Sequence, residues 1–491
     1  MISFRNVTYS YRQSGEPKSL DSVHLEVKDG ECVLLCGKSG CGKTTMTRLL
    51  NGMIPNLYEG KLRGAVLLDG KNLFDLPMYE IAKRVGSVFQ NPRTQFYTVN
   101  TTSEIAFGCE NFGMDPEEIS ARVRRAAKDL EIESLLDRNI FNLSGGEKQL
   151  VALAGVYAVS PQVYVLDEPS SNLDMQAIER VRKILSLLKR QGKTILIAEH
   201  RTYYLKELAD RAIHMENGKI IREYTMEQLA HLSREEQLRS GIRTVDLLSC
   251  PVTPHTAVPA GHEIALKDVR CSYGKTEVLS IPGLSLASGR ITAIIGANGA
   301  GKSTFVSWLC GLMKRSKGTF LLDGKRRRAR DRVREGYLVM QEVNHQLFSD
   351  SVREEIALGS SRSTEDSLQK IMALLDISEL AERHPMTLSG GQKQRVIIAS
   401  AMFCGKKMLC FDEPTSGLDF SHMMQACDLL KKLQNDDAFL FIITHDYELI
   451  ASACDSVVHI EHGRVLEQYA LDAAGIQRVK SFFTQYMRSA P

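Results

Sequence analysis

Short apolar runs, each closed by glycine or by an acidic pair, recur along the chain in two series with the same order. CVLLC (32–36) and ITAII (291–295) both feed glycine loops. Runs of this length before a turn fit strands covered on both faces, as in a parallel sheet. MTRLL and FVSWL, just beyond the loops, open helices. VYVL (163–166) and MLCF (408–411) again read as buried strands and end in Asp-Glu, while TILIA (194–198) and FLFII (439–443) lead into histidines. Buried strands alternating with helices predict an α/β fold. Residues 226–240 read as helical, and SCPVTPHTAVPAGHE (249–263) then brings three prolines into fifteen residues, which marks a linker. The expected division is a first domain at 1–225, a helical and proline-bearing linker at 226–262, a second domain at 263–466 and a tail at 467–491. RVKSFFTQYM in the tail reads as an amphipathic helix packed on a core, with contact to a partner or a membrane as the other reading. The opening MISFRNVTYSYRQ lacks the basic-then-apolar order of a secretory signal and reads as a first strand.

The two series are copies of one unit. GKSGCGKTT (37–45) and GANGAGKST (296–304) both satisfy G-x-x-x-x-G-K-[ST], the P-loop pattern. Gln90 and Gln341, LSGGEKQ (143–149) and LSGGQKQ (388–394), two Asp-Glu-Pro steps, and AEH and ITH follow in the same order. Lys302 follows Lys43 by 259 residues and Gln341 follows Gln90 by 251, whereas Ser389, Asp412 and His445 each follow Ser144, Asp167 and His200 by 245. The second copy is therefore shorter between P-loop and signature and unchanged beyond it, which is duplication with divergence.

Composition narrows the classes. A chain of 491 residues exceeds what one hydrophobic core supports, in keeping with two domains. With 43% hydrophobic and 25% charged residues it is an ordinary globular protein, so disorder is not the default. Sixty-two basic residues against 59 acidic give a charge of +3, too balanced to mark a nucleic-acid binder. No run approaches the roughly 18–20 apolar residues of a membrane-spanning helix. Eleven cysteines form no C-x-x-C pair, and those among apolar residues, such as Cys32, Cys36 and Cys310, are expected to be small buried hydrophobes rather than metal or redox groups.

The motifs carry polyphosphate chemistry. A glycine loop entering a helix aims backbone N–H groups and the positive end of the helix dipole at an anion. Gly37, Ser39, Gly40, Gly42 and Thr45, with Gly296, Asn298, Gly299, Gly301 and Thr304, form the two cradles. Lys43 and Lys302 are placed to reach the β- and γ-phosphates of a nucleotide, and Thr44 and Ser303 to offer a hydroxyl to Mg²⁺. Asp167 and Asp412, at strand ends, are candidates to hold that ion through its water shell. Glu168 and Glu413 are candidate bases that orient the attacking water. A solvated turn is the bland reading of each Asp-Glu pair; recurrence before proline in both copies speaks against it.

Over nearly its whole length, apart from linker and tail, the chain resembles the ATP-binding-cassette (ABC) family, whose signature is LSGGEKQ and LSGGQKQR. The resemblance implies an α/β P-loop NTPase fold in two tandem nucleotide-binding domains. Each carries a helical subdomain, at about 100–142 and 349–387. In that family the Ser-Gly-Gly of one domain contacts the γ-phosphate of ATP bound to the other. This implies that Ser389, Gly390 and Gly391 serve the first P-loop and that Ser144, Gly145 and Gly146 serve the second. Tyr11 and Tyr273 match the aromatic that stacks on adenine, and Gln90 and Gln341 the Q-loop glutamine that touches Mg²⁺. His200 and His445 match the switch histidine that grips the γ-phosphate, and Asp174 and Asp419 the D-loop aspartate. Both copies keep their glutamate and histidine, which predicts two hydrolysis-competent sites.

FQNPRTQF (89–96) and AEHR (198–201) look like the ATPases of energy-coupling-factor importers, which take up vitamins or transition-metal ions. Gln95 and Gln346 match a glutamine there beside a groove that receives a helix of the transmembrane coupling subunit; MQEVNHQLF, in the second copy, lacks the Asn-Pro step. The resemblance implies a transmembrane coupling subunit and a substrate-binding membrane subunit as partners, a peripheral place on the cytoplasmic face of the membrane, and no nucleic acid. A soluble tandem cassette acting on ribosomes is the rival reading, although such factors carry a long charged helical linker. The run KRRRARDRVR (325–334) holds seven basic residues in ten. It is read first as a solvated surface segment or helix face and second as a contact to RNA or anionic lipid.

Overall fold

The computed structural model describes residues 1–12, 18–171, 173–252, 261–358, 360 and 364–485. The chain forms two compact units. One comprises Met1–Cys250 with Gly417–Ser421 and Thr484–Pro491, the other Pro251–Ser416 and His422–Phe483.

In the first unit a six-stranded sheet runs in the order Lys219–Tyr224, Arg211–Glu216, Cys32–Cys36, Thr194–Ala198, Val163–Asp167, Val85–Val88. Only the hairpin of the first two strands is antiparallel. Every residue of Cys32–Cys36 is buried, because alternate side chains enter two different cores. Leu34 and Cys36 join a core with Ile105, Leu150 and Leu153 of the helical part, whereas Val33 and Leu35 join Met46, Leu49 and Leu50. That second core also takes the inner face of a four-stranded antiparallel sheet, ordered Leu20–Val27, Ile2–Tyr11, Gly60–Leu68, Lys71–Asn72. After Cys32–Cys36 the sheet is built on one side, and the chain then crosses to the other at Arg211–Glu216. The loops at the carboxyl ends of the central strands therefore open a crevice, where open α/β sheets bind ligands. Helices Thr101–Asn111, Pro116–Asp129 and Gly145–Val159 make the helical subdomain. Asn100 caps the first by accepting from Thr102 and Ser103 N–H, and Pro116 starts the second.

The second unit repeats the order with Arg464–Ala470, Ser456–Glu461, Arg290–Ile295, Phe439–Ile443, Met408–Asp412 and Gly336–Val339. Its antiparallel sheet runs Thr276–Ala287, Glu263–Tyr273, Ser316–Leu322, Lys325–Arg326. Helices Val352–Ala357, Glu365–Leu374 and Gly390–Phe403 form its helical part.

Three segments sharpen the sequence reading. Residues 226–240 hold two short helices, Met226–Ala230 and Arg234–Ser240, because Ser233 closes a second capping box with Glu236 and restarts the helix. Beyond them Ile242 and Val245 enter the first unit's core; of the proline-bearing stretch, 253–260 lie outside the described residues. In the tail, helix Ala473–Thr484 buries Val479 and Phe483, and the Phe483 ring stands edge-on to Tyr447 at 5.5 Å. The basic run is solvated along most of its length, with Lys325, Arg326, Arg328, Arg330 and Arg334 exposed. Arg332 departs from the pattern: it is buried, lies 4.3 Å from the centre of the Trp308 ring and donates to the Trp308 carbonyl at 2.6 Å. Nine of the eleven cysteines are buried, and Cys250 and Cys404 are half-buried. Among the described residues, no helix is long and apolar enough to cross a membrane.

Candidate active site

Each glycine loop is pressed against a neighbouring strand. A Cβ on Gly37 would lie 2.2 Å from the Met215 carbonyl oxygen, and one on Gly296 1.9 Å from that of Ile460, so only glycine fits. Gly42 and Gly301, both left-handed, begin helices Lys43–Leu50 and Lys302–Leu309 without a side-chain cap, which leaves first-turn N–H groups available to an anion. Gly40 and Gly299 turn the loops with φ of +78° and +80°. The lysines curl onto these loops. Lys43 Nζ donates to the carbonyls of Gly37 and Lys38 at 2.9 and 3.0 Å, and Lys302 Nζ to those of Gly296 and Ala297 at 2.8 and 2.9 Å.

The neighbouring strand ends bring in the acids. Thr44 Oγ1 donates to Asp167 Oδ1 at 3.2 Å and Ser303 Oγ to Asp412 Oδ2 at 3.0 Å. Burial pushes both aspartate carboxyls above their ordinary range, with the hydroxyl hydrogen bonds pulling the other way. Glu168 and Glu413 adopt left-handed backbone with φ of +45° and +49°. That conformation costs a non-glycine residue about 1–3 kcal/mol. It is held by strand-end bonds, Glu168 N–H to the Ala198 carbonyl at 2.8 Å and Glu413 N–H to that of Ile443 at 3.0 Å. Burial, then the charges of Glu199 and Asp167, push the Glu168 carboxyl up to about 8.

The remaining predicted residues divide between the site and its surroundings. Gln90 Nε2 donates to Glu168 Oε2 at 2.8 Å, and His200 Nε2 lies 3.5 Å from Glu168 Oε1. In the second unit His445 Nε2 lies 3.6 Å from Glu413 Oε1 and 3.2 Å from Asn298 Oδ1 of the glycine loop; Gln341 follows its strand and is exposed. Tyr11 meets the P-loop helix, its hydroxyl 3.3 Å from Thr45 Oγ1 and accepting from Arg48 at 3.0 Å, while Tyr273 is exposed beside Met313. Thr304 is buried in the first turn of the corresponding helix, and Ser39 neighbours Gly40 in its loop. Ser144 and Ser389 cap helices Gly145–Val159 and Gly390–Phe403, each closing a capping box, with Glu147 and Gln392. Gly145, Gly146, Gly390 and Gly391 thus form helix first turns, and a Cβ on Gly390 or Gly391 would meet open space. Asp174 caps helix Met175–Arg190 through the Ala177 N–H at 2.8 Å, and Asp419 is fully buried.

The same groups thus stand at equivalent strand ends in both units, and the chain matches the family described as "ABC transporter" over residues 20–171 and 279–416. The chain belongs to the ABC transporter family. It is an ABC ATPase with two tandem cassettes. A relative from Treponema denticola, named "Putative ABC transporter ATP-binding protein", is 43% identical and covers 95% of this chain and 97% of its own length. Another, "Putative HMP/thiamine import ATP-binding protein YkoD" of Bacillus subtilis, is 32% identical over 93% of this chain and 89% of its own. Among solved structures, "Model of ribosome-bound archaeal Pelota and ABCE1" matches with a TM-score of 0.69 at 22% identity, over 97% of this chain and 80% of the other. At that identity the likeness concerns the fold alone.

The first cassette also has a cavity of about 330 Å³ lined by Met78, Phe89, Gln95, Tyr97 and Phe107. Gln95 spends its side chain on its own loop, accepting from Phe89 N–H at 3.3 Å and donating to the Ser87 carbonyl at 2.8 Å. Gln346 does the same with Met340 N–H and the Leu338 carbonyl, at 2.8 and 2.7 Å, so the loop closes without the Asn-Pro step. Two buried carboxylates that are not among the predicted site residues, Glu199 and Asp446, flank His200 and His445. Their signal in the sequence is a charged residue within three positions of the end of a buried strand, Glu199 directly after Ala198 and Asp446 after Ile443, Thr444 and His445.

Proposed function

We propose that this ABC ATPase powers uptake of a small solute, a vitamin or a transition-metal ion, through a separate transmembrane coupling subunit and a substrate-binding membrane subunit, from the cytoplasmic face of the membrane. What carries the proposal is the completeness of both sites: each unit sets a P-loop lysine, a hydroxyl-aspartate pair, a glutamate and a histidine around one crevice. The thiamine-import name of the Bacillus subtilis relative supports the vitamin class. The cavity beside Gln95 has the apolar lining that suits a helix of the coupling subunit.

Loop N–H groups and Lys43 or Lys302 hold the phosphates, and His200 or His445 grips the γ-phosphate. Glu168 or Glu413 orients the attacking water and receives its proton at a carboxylate oxygen. Half-buried carboxyls raised by desolvation beside a free hydroxyl lone pair fit a divalent cation, so Thr44 with Asp167, and Ser303 with Asp412, would hold Mg²⁺, with Gln90 and Gln341 nearby. When bound, Mg²⁺ supplies positive charge against the phosphate oxygens.

Affinity purification from native membranes tests the partner. Recovery of a multi-span protein, and ATPase stimulation when it is added back in liposomes, is the expected result. Stimulation by ribosomes with no membrane protein recovered overturns the transport reading.

A further inference from the structure

Glu199 lies between the apolar strand Thr194–Ala198 and His200 and is 2% exposed. Its Oε1 accepts from the Tyr204 hydroxyl at 2.8 Å and from Ser170 N–H at 3.2 Å, and its Oε2 accepts from His200 N–H at 2.8 Å. Two of these donors sit on the loops that flank Glu168. Ser170 follows it by two residues, and His200 holds its ring nitrogen 3.5 Å from the Glu168 carboxylate. A buried charge is tolerated only where donors surround it, and the same bonds fix those donors. No neutral side chain of this size does the same: glutamine would offer one accepting oxygen and turn an NH₂ group toward a donor.

The second copy solves the problem from the other side of the histidine. Thr444 occupies the position of Glu199, and Asp446 that of Arg201. Asp446 is 4% exposed, and its Oδ2 accepts from Thr415 Oγ1 at 2.8 Å, Thr415 being the counterpart of Ser170. Its Oδ1 accepts from the N–H groups of Glu448 and Leu449 at 3.1 and 3.3 Å, and its own N–H donates to Thr444 Oγ1 at 3.0 Å. A carboxylate thus ties the segment after the Asp-Glu pair to the switch-histidine loop in both copies, although the sequence position that supplies it has moved.

We infer that Glu199 is a positioning residue for hydrolysis in the first copy, holding the loop after Glu168 in register with His200, and that Asp446 does this in the second. The inference rests on the reading of Glu168 and His200 as hydrolytic groups. The test compares steady-state ATP hydrolysis by the full chain carrying Glu413→Gln, which leaves turnover to the first site, alone and together with Glu199→Gln or Glu168→Gln. Glu199→Gln is expected to reproduce at least half of the kcat loss of Glu168→Gln while KM for ATP stays within about twofold, since the glycine loop and Lys43, which carry most of the phosphate binding, are unaltered. A triple variant, Ser170→Thr with Glu199→Thr and Arg201→Asp, transplants the second copy's arrangement. Measured beside Glu413→Gln, it is expected to recover at least a third of the kcat of the Glu413→Gln chain, whereas Glu199→Thr alone recovers none. If Glu168→Gln lowers kcat and Glu199→Gln does not, or if KM rises in step with the loss, the inference fails and the hydrolytic reading stands. If Glu168→Gln itself leaves kcat unchanged, it is the hydrolytic reading that fails. Should Glu199→Gln not fold, the triple variant carries the test, and a triple variant that is inactive or unfolded overturns the inference.

Discussion

The two copies agree at the lysine, hydroxyl, aspartate and glutamate that would meet phosphate and differ in what stands behind them. Lysine, hydroxyl, aspartate and glutamate keep the same partners within a few tenths of an ångström, down to the left-handed backbone of Glu168 and Glu413. Behind them the first copy uses Glu199 and a short 3-10 turn at Tyr203–Leu205, the second Asp446 and a seven-residue helix that Asp446 caps, Tyr447–Ala453. Farther back, Leu49 and Ile81 of the first core are replaced at equivalent positions by Trp308 and Arg332. Phosphate chemistry fixes distance and charge at the reacting groups, whereas the support needs only a bonded contact of the right length, which several side chains can supply.

The comparison breaks most readily at the glutamates. Glu168→Gln and Glu413→Gln are each expected to retain ATP binding and to slow the turnover of their own site by about 10²–10⁴-fold, the usual contribution of a positioned base. Single-turnover hydrolysis beside nucleotide binding by filter assay checks this. Equal loss from either variant sharpens the equivalence of the copies; wild-type turnover in both removes these residues from catalysis.

Next in size is the packing of the glycine loops. Gly37→Ala and Gly296→Ala set a methyl group 2.2 and 1.9 Å from a carbonyl oxygen of the adjoining strand, at φ of +135° and +142°. Each is expected to cost its unit more than about 3 kcal/mol in urea titration, because backbone on both sides resists the shift. A tolerated alanine in one copy only would show that the loops are less alike than their geometry.

Smaller again is the pH dependence of the first copy. Without nucleotide, the Glu168 carboxyl, raised to about 8 by burial and by Glu199 and Asp167, keeps its proton in the folded chain at pH values where an unfolded glutamate is already charged. The unfolded state therefore releases its proton first, and stability falls as pH rises from about 4.5 toward 8. Glutamine removes this loss. The nucleotide-free Glu168→Gln chain is expected to melt roughly 4–8 °C above the unaltered chain at pH 8, with the difference vanishing near pH 5. A constant difference at both pH values would deny the shift.

Legibility in the sequence follows the same division. Strands Cys32–Cys36 and Val163–Asp167 and the helices after the glycine loops were readable because burial on both faces demands unbroken apolar runs and phosphate demands glycine and lysine at fixed spacing. The restart at Ser233 lay within a helical pattern, and only its capping box separates the two helices there. Glu199 and Asp446 were not legible as partners of Ser170 and Thr415, because contacts across 29 and 31 residues depend on which strands become neighbours. Nor did the sequence distinguish Arg332 from the exposed arginines around it.

That arginine offers the finest test of how the copies diverged. Burial lowers the Arg332 pKa from its ordinary value, and its compensation is visible: the Trp308 ring at 4.3 Å, the Phe320 ring at 5.4 Å and the Trp308 carbonyl. If the pair replaced the Leu49–Ile81 solution as a unit, Arg332→Ile alone should cost about 1–2 kcal/mol, the worth of a desolvated cation–π contact with its hydrogen bond. Trp308→Leu alone should cost more, since it strands the guanidinium as well as emptying volume. The double variant should then be more stable than the sum of the two losses predicts, by about 1 kcal/mol, in a double-mutant cycle read by chemical denaturation. Strict additivity would mean that tryptophan and arginine arrived independently. In that case the second core tolerates a buried cation for its packed methylenes rather than for its charge.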